Sequence, residues 1–149
     1  MCSSDLSLRR LTTAQYERSV VDLLGPVDLP NALEPDTEDH GLLSVGAAVT
    51  GVSGLGVQRY EEASYLLAEQ VVASDTLRAH VLPCVPTTAD DMACAEQFVR
   101  SFGLKAWRRP LLEPEVAALR DLITGIGGEA GDFNIGLVYG LSEIGRAHV

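Results

Sequence analysis

An all-α fold is what this sequence predicts, and three observations carry the prediction. Apolar side chains recur at the 3.6-residue period of a helix in one segment after another. Capping residues open those segments, and Gly or Pro closes them. Aromatic residues make up only 5% of the 149-residue chain while Ala, Leu and Val dominate, which suits helices better than a β-sandwich. The expected arrangement is two small helical modules with about five main helices. A Pro/Cys linker, Pro83-Cys84-Val85-Pro86, joins them, one long irregular acidic loop interrupts the first, and the last helix is truncated.

The first helix opens at Thr12. Thr12 and Gln15 have capping-box spacing, and Leu11 and Tyr16 occupy the two positions of a hydrophobic staple. Tyr16, Val20, Leu23 and Leu24 form its apolar face, and Gly25-Pro26 stop it. A connection from about Gly25 to Ser53 follows. It holds Pro26, Pro30 and Pro35, the acidic stretch Glu34 to Asp39, then His40-Gly41 and a Gly/Ala-rich apolar run. A loop of this length in a compact domain is usually functional or partly structured. The second helix is expected from Gly54 to Ala73 with Ser53 as N-cap. Val57, Tyr60, Leu67 and Val71 share its face, with Ala63 beside them, and Gly54 and Gly56 weaken its first turn.

A short helical turn over Thr76 to Leu82 precedes the linker. The third main helix starts near Thr88 or Asp90 and ends at Phe102, with Gly103 as its stop. Its apolar face is Met92, Ala95, Val99 and Phe102, flanked by Cys94 and Phe98. The fourth spans about Glu113 to Ile123, with Pro114 in its first turn and Glu113 and Glu115 matched to the positive end of the helix dipole. Gly125 to Gly131 reads as a flexible turn, and a fifth helix opens near Asp132 and is cut off at Glu143.

The two ends read differently from the rest. Residues 1–6 and 144–149 back-translate to strings that are reverse complements of each other, in the pattern of sequencing-adapter flanks. Such residues are set aside from fold reasoning, which leaves a natural segment of about Ser7 to Glu143. Modules are then expected at residues 7–83 and 84–143.

The formal net charge of −10 argues against nucleic-acid binding through phosphate contacts. No apolar run is long enough for a membrane span. The acidic stretch offers Asp36, Glu38, Asp39 and His40, beside Glu34, as candidate ligands for a hard cation, but the spacing does not match an EF-hand. A solvated acidic loop is the plainer expectation. Arg9-Arg10 and Arg108-Arg109 are candidates for clamping a carboxylate or phosphate. Ion pairing within the chain, including with Glu113 and Glu115, is the competing use, and tethering one module to the other is a third. His80 is expected to be structural, since c-type haem attachment needs a CxxCH that the chain lacks. The glycines at 125, 127, 128 and 131 are not a phosphate loop. No Ser, Cys or His spacing suggests a nucleophile and its base. Cys84 and Cys94 form no metal-ligand pattern, and the residues alone leave them open as a disulfide or as two separate thiols.

Four stretches together carry a resemblance. They are Leu8-Arg9-Arg10-Leu11-Thr12 through Tyr16 to Asp22-Leu23-Leu24-Gly25; Pro35-Asp36 with His40-Gly41; Val52-Ser53 with Gln58 and Tyr60; and Phe98 to Gly103 with Ala106-Trp107-Arg108-Arg109-Pro110-Leu111. They resemble the paired domains of unknown function in large exported proteins of planctomycetes and myxobacteria. Those proteins are described as cytochrome-like because some members carry a separate haem-binding domain. The first domain would cover about Leu8 to Val72 and the second about Cys94 to Glu143. Here Glu17-Arg18 follow Tyr16 where the family has Asn-Asn, Leu42-Leu43-Ser44 follow His40-Gly41 where it has Phe-Asp-Asn, and Leu112 replaces a Thr before the fourth helix.

The resemblance implies an exported, periplasmic or cell-envelope protein, a Cys84–Cys94 disulfide, other domains of the parent as partners, and haem, if any, in one of those domains. It supplies no chemistry. The favoured reading is a scaffold or interaction segment, which expects no concave pocket at the module junction and an exposed apolar patch where downstream helices dock. A shared-active-site enzyme expects a pocket there lined by Asp36, His40 or Arg108. An envelope- or carbohydrate-binding module expects exposed aromatics along the long loop.

Overall fold

The computed structural model describes residues 10–30, 33–43, 46 and 51–146, excluding the Arg146 side chain, and they fold into six helices with no strand. Helix α1 is Thr13–Leu24, α2 Gly54–Ala73, α3 Asp75–Val81, α4 Met92–Trp107, α5 Glu113–Ala130 and α6 Phe133–Arg146.

Capping chemistry sets most of these boundaries. At α1 the Thr12 hydroxyl accepts the Gln15 N–H (3.2 Å) while Gln15 accepts the Thr12 N–H (3.0 Å), completing the capping box. Gly25 ends the helix at φ 90°, a backbone that side-chain-bearing residues rarely adopt, with its N–H on Val21 O. Ser53 caps α2 through the Gly56 N–H, Ser74 caps α3 through the Leu77 N–H, and Asp91 caps α4 through the Cys94 N–H. Leu112 caps α5 with no side-chain acceptor. Glu115 still reaches back to the Leu112 N–H at 2.7 Å, so one half of a capping box survives.

Three sequence-predicted boundaries are corrected. Helix α4 does not stop at Gly103 but runs through it to Trp107. Gly103 is buried, and a Cβ there would stand 2.5 Å from the Leu111 side chain, so the glycine serves close packing. The true stop is Arg108 in the left-handed conformation, with Pro110 beyond it. Nor do Gly125 to Gly131 form a turn, because α5 continues to Ala130 and only Gly131 (φ 71°) is the cap. Helix α6 runs past Glu143 to Arg146, and Ile144 within it is fully buried. Val57 and Met92, expected to face inward, are both about half exposed (53%).

The glycines of the second half permit a close α5–α6 hairpin. A Cβ on Gly136 would lie 2.0 Å from the Ile123 carbonyl oxygen, and one on Gly140 2.6 Å from the Ile123 side chain. Helix α6 also packs along α2, and α4 packs on α5 and α6. Buried residues on both sides of the linker therefore form one cluster, from Tyr16, Val20 and Val71 to Phe98, Val116, Ile123 and Leu137. Tyr16 meets Tyr60 edge-on at 5.2 Å, and Phe98 stacks on Phe102 at 5.4 Å. No helix among the described residues is long and apolar enough to cross a membrane.

Candidate functional site

The acidic loop is tied to the starts of two helices. Asp36 accepts the Thr13 N–H through both carboxylate oxygens (3.1 and 3.0 Å) and so supplies a tertiary cap to α1. Glu34 lies over the first turn of α2, accepts the Ser53 N–H at 3.3 Å, and stands where a Cβ on Gly56 would fall. Gly56 thus makes room for the carboxylate. The hydrogen bond to Ser53 and the nearby Arg10 hold Glu34 below the usual carboxylate range. Arg10, with 7% of its side chain exposed, bridges the pair, reaching Glu34 at 3.3 Å, Asp36 at 3.2 Å and Pro35 O at 3.0 Å. Its Nε is buried without a partner among the described residues.

The remaining cation candidates do not join this node. Asp39 and Leu42 exchange backbone hydrogen bonds across His40-Gly41. Both central residues have positive φ (52° and 79°), as a type I′ turn requires. His40 Nδ1 lies 2.8 Å from Asp39 Oδ1, and the His40 side chain is 90% exposed. Among the described residues no three His, Cys, Asp or Glu side chains converge as metal ligands. No aromatic side chain lies along this loop.

Of the four arginine candidates, Arg9 lies outside the described residues. Arg109 is engaged within the chain: it grips Glu115 bidentately (2.9 and 2.7 Å) and stacks over Trp107 at 5.1 Å. Bonds from Arg109 and from the Leu112 N–H pull Glu115 down to about 2. Glu113 pairs instead with Arg100, 13 residues away, which holds its carboxyl below the usual range. Arg108 takes the left-handed cap of α4 and enters no ion pair among the described residues. Cys84 and Cys94 are joined in a disulfide, with Cα atoms 5.6 Å apart. His80 is exposed at the end of α3, close to Gly25.

A cleft of about 530 Å³ opens between α1 and the layer formed by α2, α4 and α6. Its floor is apolar: Val20 and Leu23 from α1, Leu67 and Ala68 from α2, Phe102 and Ala106 from α4, and Leu141 from α6. Trp107 lines one side and donates its indole N–H to Ile144 O at 3.3 Å. Lys105 and Arg108 stand on the α4 wall, with Asp22 and Ser19 on α1. The Tyr16 phenol is also among the lining groups. Burial, and then the adjacent Tyr60 phenol, push it up to about 12, so it is neutral at ordinary pH. Ile144 and Gly145 complete one edge. The scaffold reading expected no pocket at this junction, and the cleft corrects that expectation. Of the residues the enzyme reading required there, only Arg108 lines it. Linear spacing carries no signal for the cleft, because its walls come from four helices spread along the chain.

Residues 9–73, which span α1, the long connection and α2, match the family model PSD3, a protein of unknown function (DUF1587). These are nearly the bounds expected for the first of the two resembling domains. No curated protein and no solved structure matches the chain.

Proposed function

We propose that this chain is a helical scaffold or interaction segment of an exported multidomain protein, with haem, where present, carried by a separate domain. The observation that supports it best is the use of the polar residues. The charged side chains singled out by sequence largely hold the chain to itself: Arg10 bridges Glu34 and Asp36 across two helix starts, and Arg109 clamps Glu115. The Cys84–Cys94 disulfide suits an oxidising compartment. Analytical ultracentrifugation of this chain mixed with the downstream region of its parent tests the reading. Micromolar association in trans is expected, and two species that sediment independently at all concentrations would overturn it.

The cleft favours a second reading, an active site completed by another domain. It is concave and apolar, with a few convergent polar groups, as binding sites usually are. A structure of the parent protein decides this. Reactive side chains from another domain within hydrogen-bond reach of Arg108 or Tyr16 would support it, and a cleft packed with apolar side chains would rule it out.

A further inference from the structure

We infer that the cleft between α1 and the α2–α4–α6 layer binds a single-chain amphiphile whose apolar tail lies on the floor and whose anionic head meets Lys105 and Arg108. This holds independently of the interaction reading above. The first ground is a local inversion of charge. The chain carries 21 acidic residues and a formal net charge of −10, and of its nine described Lys and Arg side chains five take a carboxylate partner and four do not. Arg10, Arg78, Arg100, Arg109 and Arg120 all take one. Lys105 and Arg108, like Arg18 and Arg59, take none among the described residues, and of these four Lys105 and Arg108 stand together on one wall of one cleft. Asp22 on the facing wall offsets one of the two, which leaves the lining net positive in a strongly acidic protein.

Below those cations the lining turns apolar, with Leu67, Ala68, Phe102 and Ala106 buried. An inorganic anion would leave that floor wet, and a neutral hydrocarbon would leave the cations unanswered. A molecule with both parts satisfies both, and about 530 Å³ lies within the usual range for small-molecule sites. The walls from α1, α2 and α4 supply the tail-binding floor and both cations without any contribution from Ile144 or Gly145. Trp107, the single tryptophan of the chain, lines the cleft and reports on its contents.

The test titrates sodium dodecanoate and, separately, dodecanol, both below their aggregation concentrations, into the intact chain while Trp107 fluorescence is followed. Amide chemical shifts locate the bound molecule. A saturable response to dodecanoate is expected, with shifts confined to cleft-lining residues of α1, α2, α4 and α6. Dodecanol should bind about tenfold more weakly, as loss of two exposed charge contacts implies. The double variant Lys105→Gln/Arg108→Asn should lose about the same factor for dodecanoate and none for dodecanol. Both positions are exposed, and Asn tolerates the left-handed backbone at 108, so the fold should survive, as circular dichroism will verify. The inference fails if dodecanoate gives no saturable response, if it binds no tighter than dodecanol, if the double variant binds it unchanged, or if the shifts fall outside the cleft.

Discussion

Replacing glycine by alanine at two positions of the α5–α6 hairpin should change stability in opposite directions. Gly125 lies inside α5 with nothing within 4 Å of an added methyl, so Ala there gains helix propensity and meets no obstacle. The expected gain is about 1 kcal/mol. At Gly136, in α6, the same methyl would stand 2.0 Å from the Ile123 carbonyl oxygen and 3.0 Å from the Gly127 nitrogen. Both neighbours are backbone, so relief requires the two helices to separate by about 1 Å, since carbon and oxygen ordinarily approach no closer than about 3.3 Å. Overpacking of this kind costs about 3 kcal/mol at the upper end of its range. Subtracting about 1 kcal/mol of helix propensity leaves a net loss of about 2 kcal/mol. For a chain of this size the melting temperature should rise by about 2–4 °C in Gly125→Ala and fall by about 4–8 °C in Gly136→Ala. Thermal denaturation followed at the helical circular dichroism band reads both. Stabilisation by both substitutions would refute the close helix–helix approach, and no gain at Gly125 would refute a continuous α5.

Other consequences follow from the same structure. Opening the Cys84–Cys94 bridge, by reduction or by a Cys84→Ser/Cys94→Ser variant, should cost about 3 kcal/mol, the loop-closure value for a ring this short; an unchanged urea midpoint would show that the bridge does not constrain the unfolded chain. Ser142 in α6 is fully buried with no hydrogen-bond partner for its hydroxyl among the described residues, so Ser142→Ala should stabilise by about 1 kcal/mol, and a lower melting temperature would reveal a partner for that hydroxyl. Glu34, Asp91, Glu113 and Glu115 all have depressed folded-state pKa values, Glu115 down to about 2. Their stabilisation is present above the unfolded carboxylate range and is lost as pH falls through the folded values, so the melting temperature should drop steadily from about pH 4.5 towards pH 2. A melting temperature flat over that window would contradict the carboxylate contacts.

The elements legible in the sequence are those whose signals are local. Thr12 with Gln15, Ser53 and Gly25 each satisfy or end a helix within a few residues, and α1 and α2 begin and end where they predict. Glycine misleads, because it serves equally as a helix stop and as a gap for a neighbour. At Gly25 it stops a helix, whereas at Gly103 it admits Leu111 and at Gly127 the Ala89 carbonyl. Only the tertiary partner distinguishes these uses. The acidic loop is opaque for a related reason: Asp36 caps α1 from 23 residues away, beyond any local capping pattern. Composition suggests cation ligation or a solvated loop, and the loop instead fastens two helix starts. The cleft is the least visible feature, because Lys105 and Arg108 gain meaning only once α1 lies opposite α4.

The helices on either side of the Pro83–Pro86 segment share one core, with α6 packed along α2, and the rest of the structural reading depends on that. Equilibrium urea unfolding, followed in parallel by Trp107 fluorescence in the second half and by far-ultraviolet circular dichroism over all six helices, tests it most directly. A shared core predicts superimposable single transitions from the two probes. A fluorescence transition separated from a second, distinct loss of helicity would mean that the halves fold independently, and the shared core would be wrong.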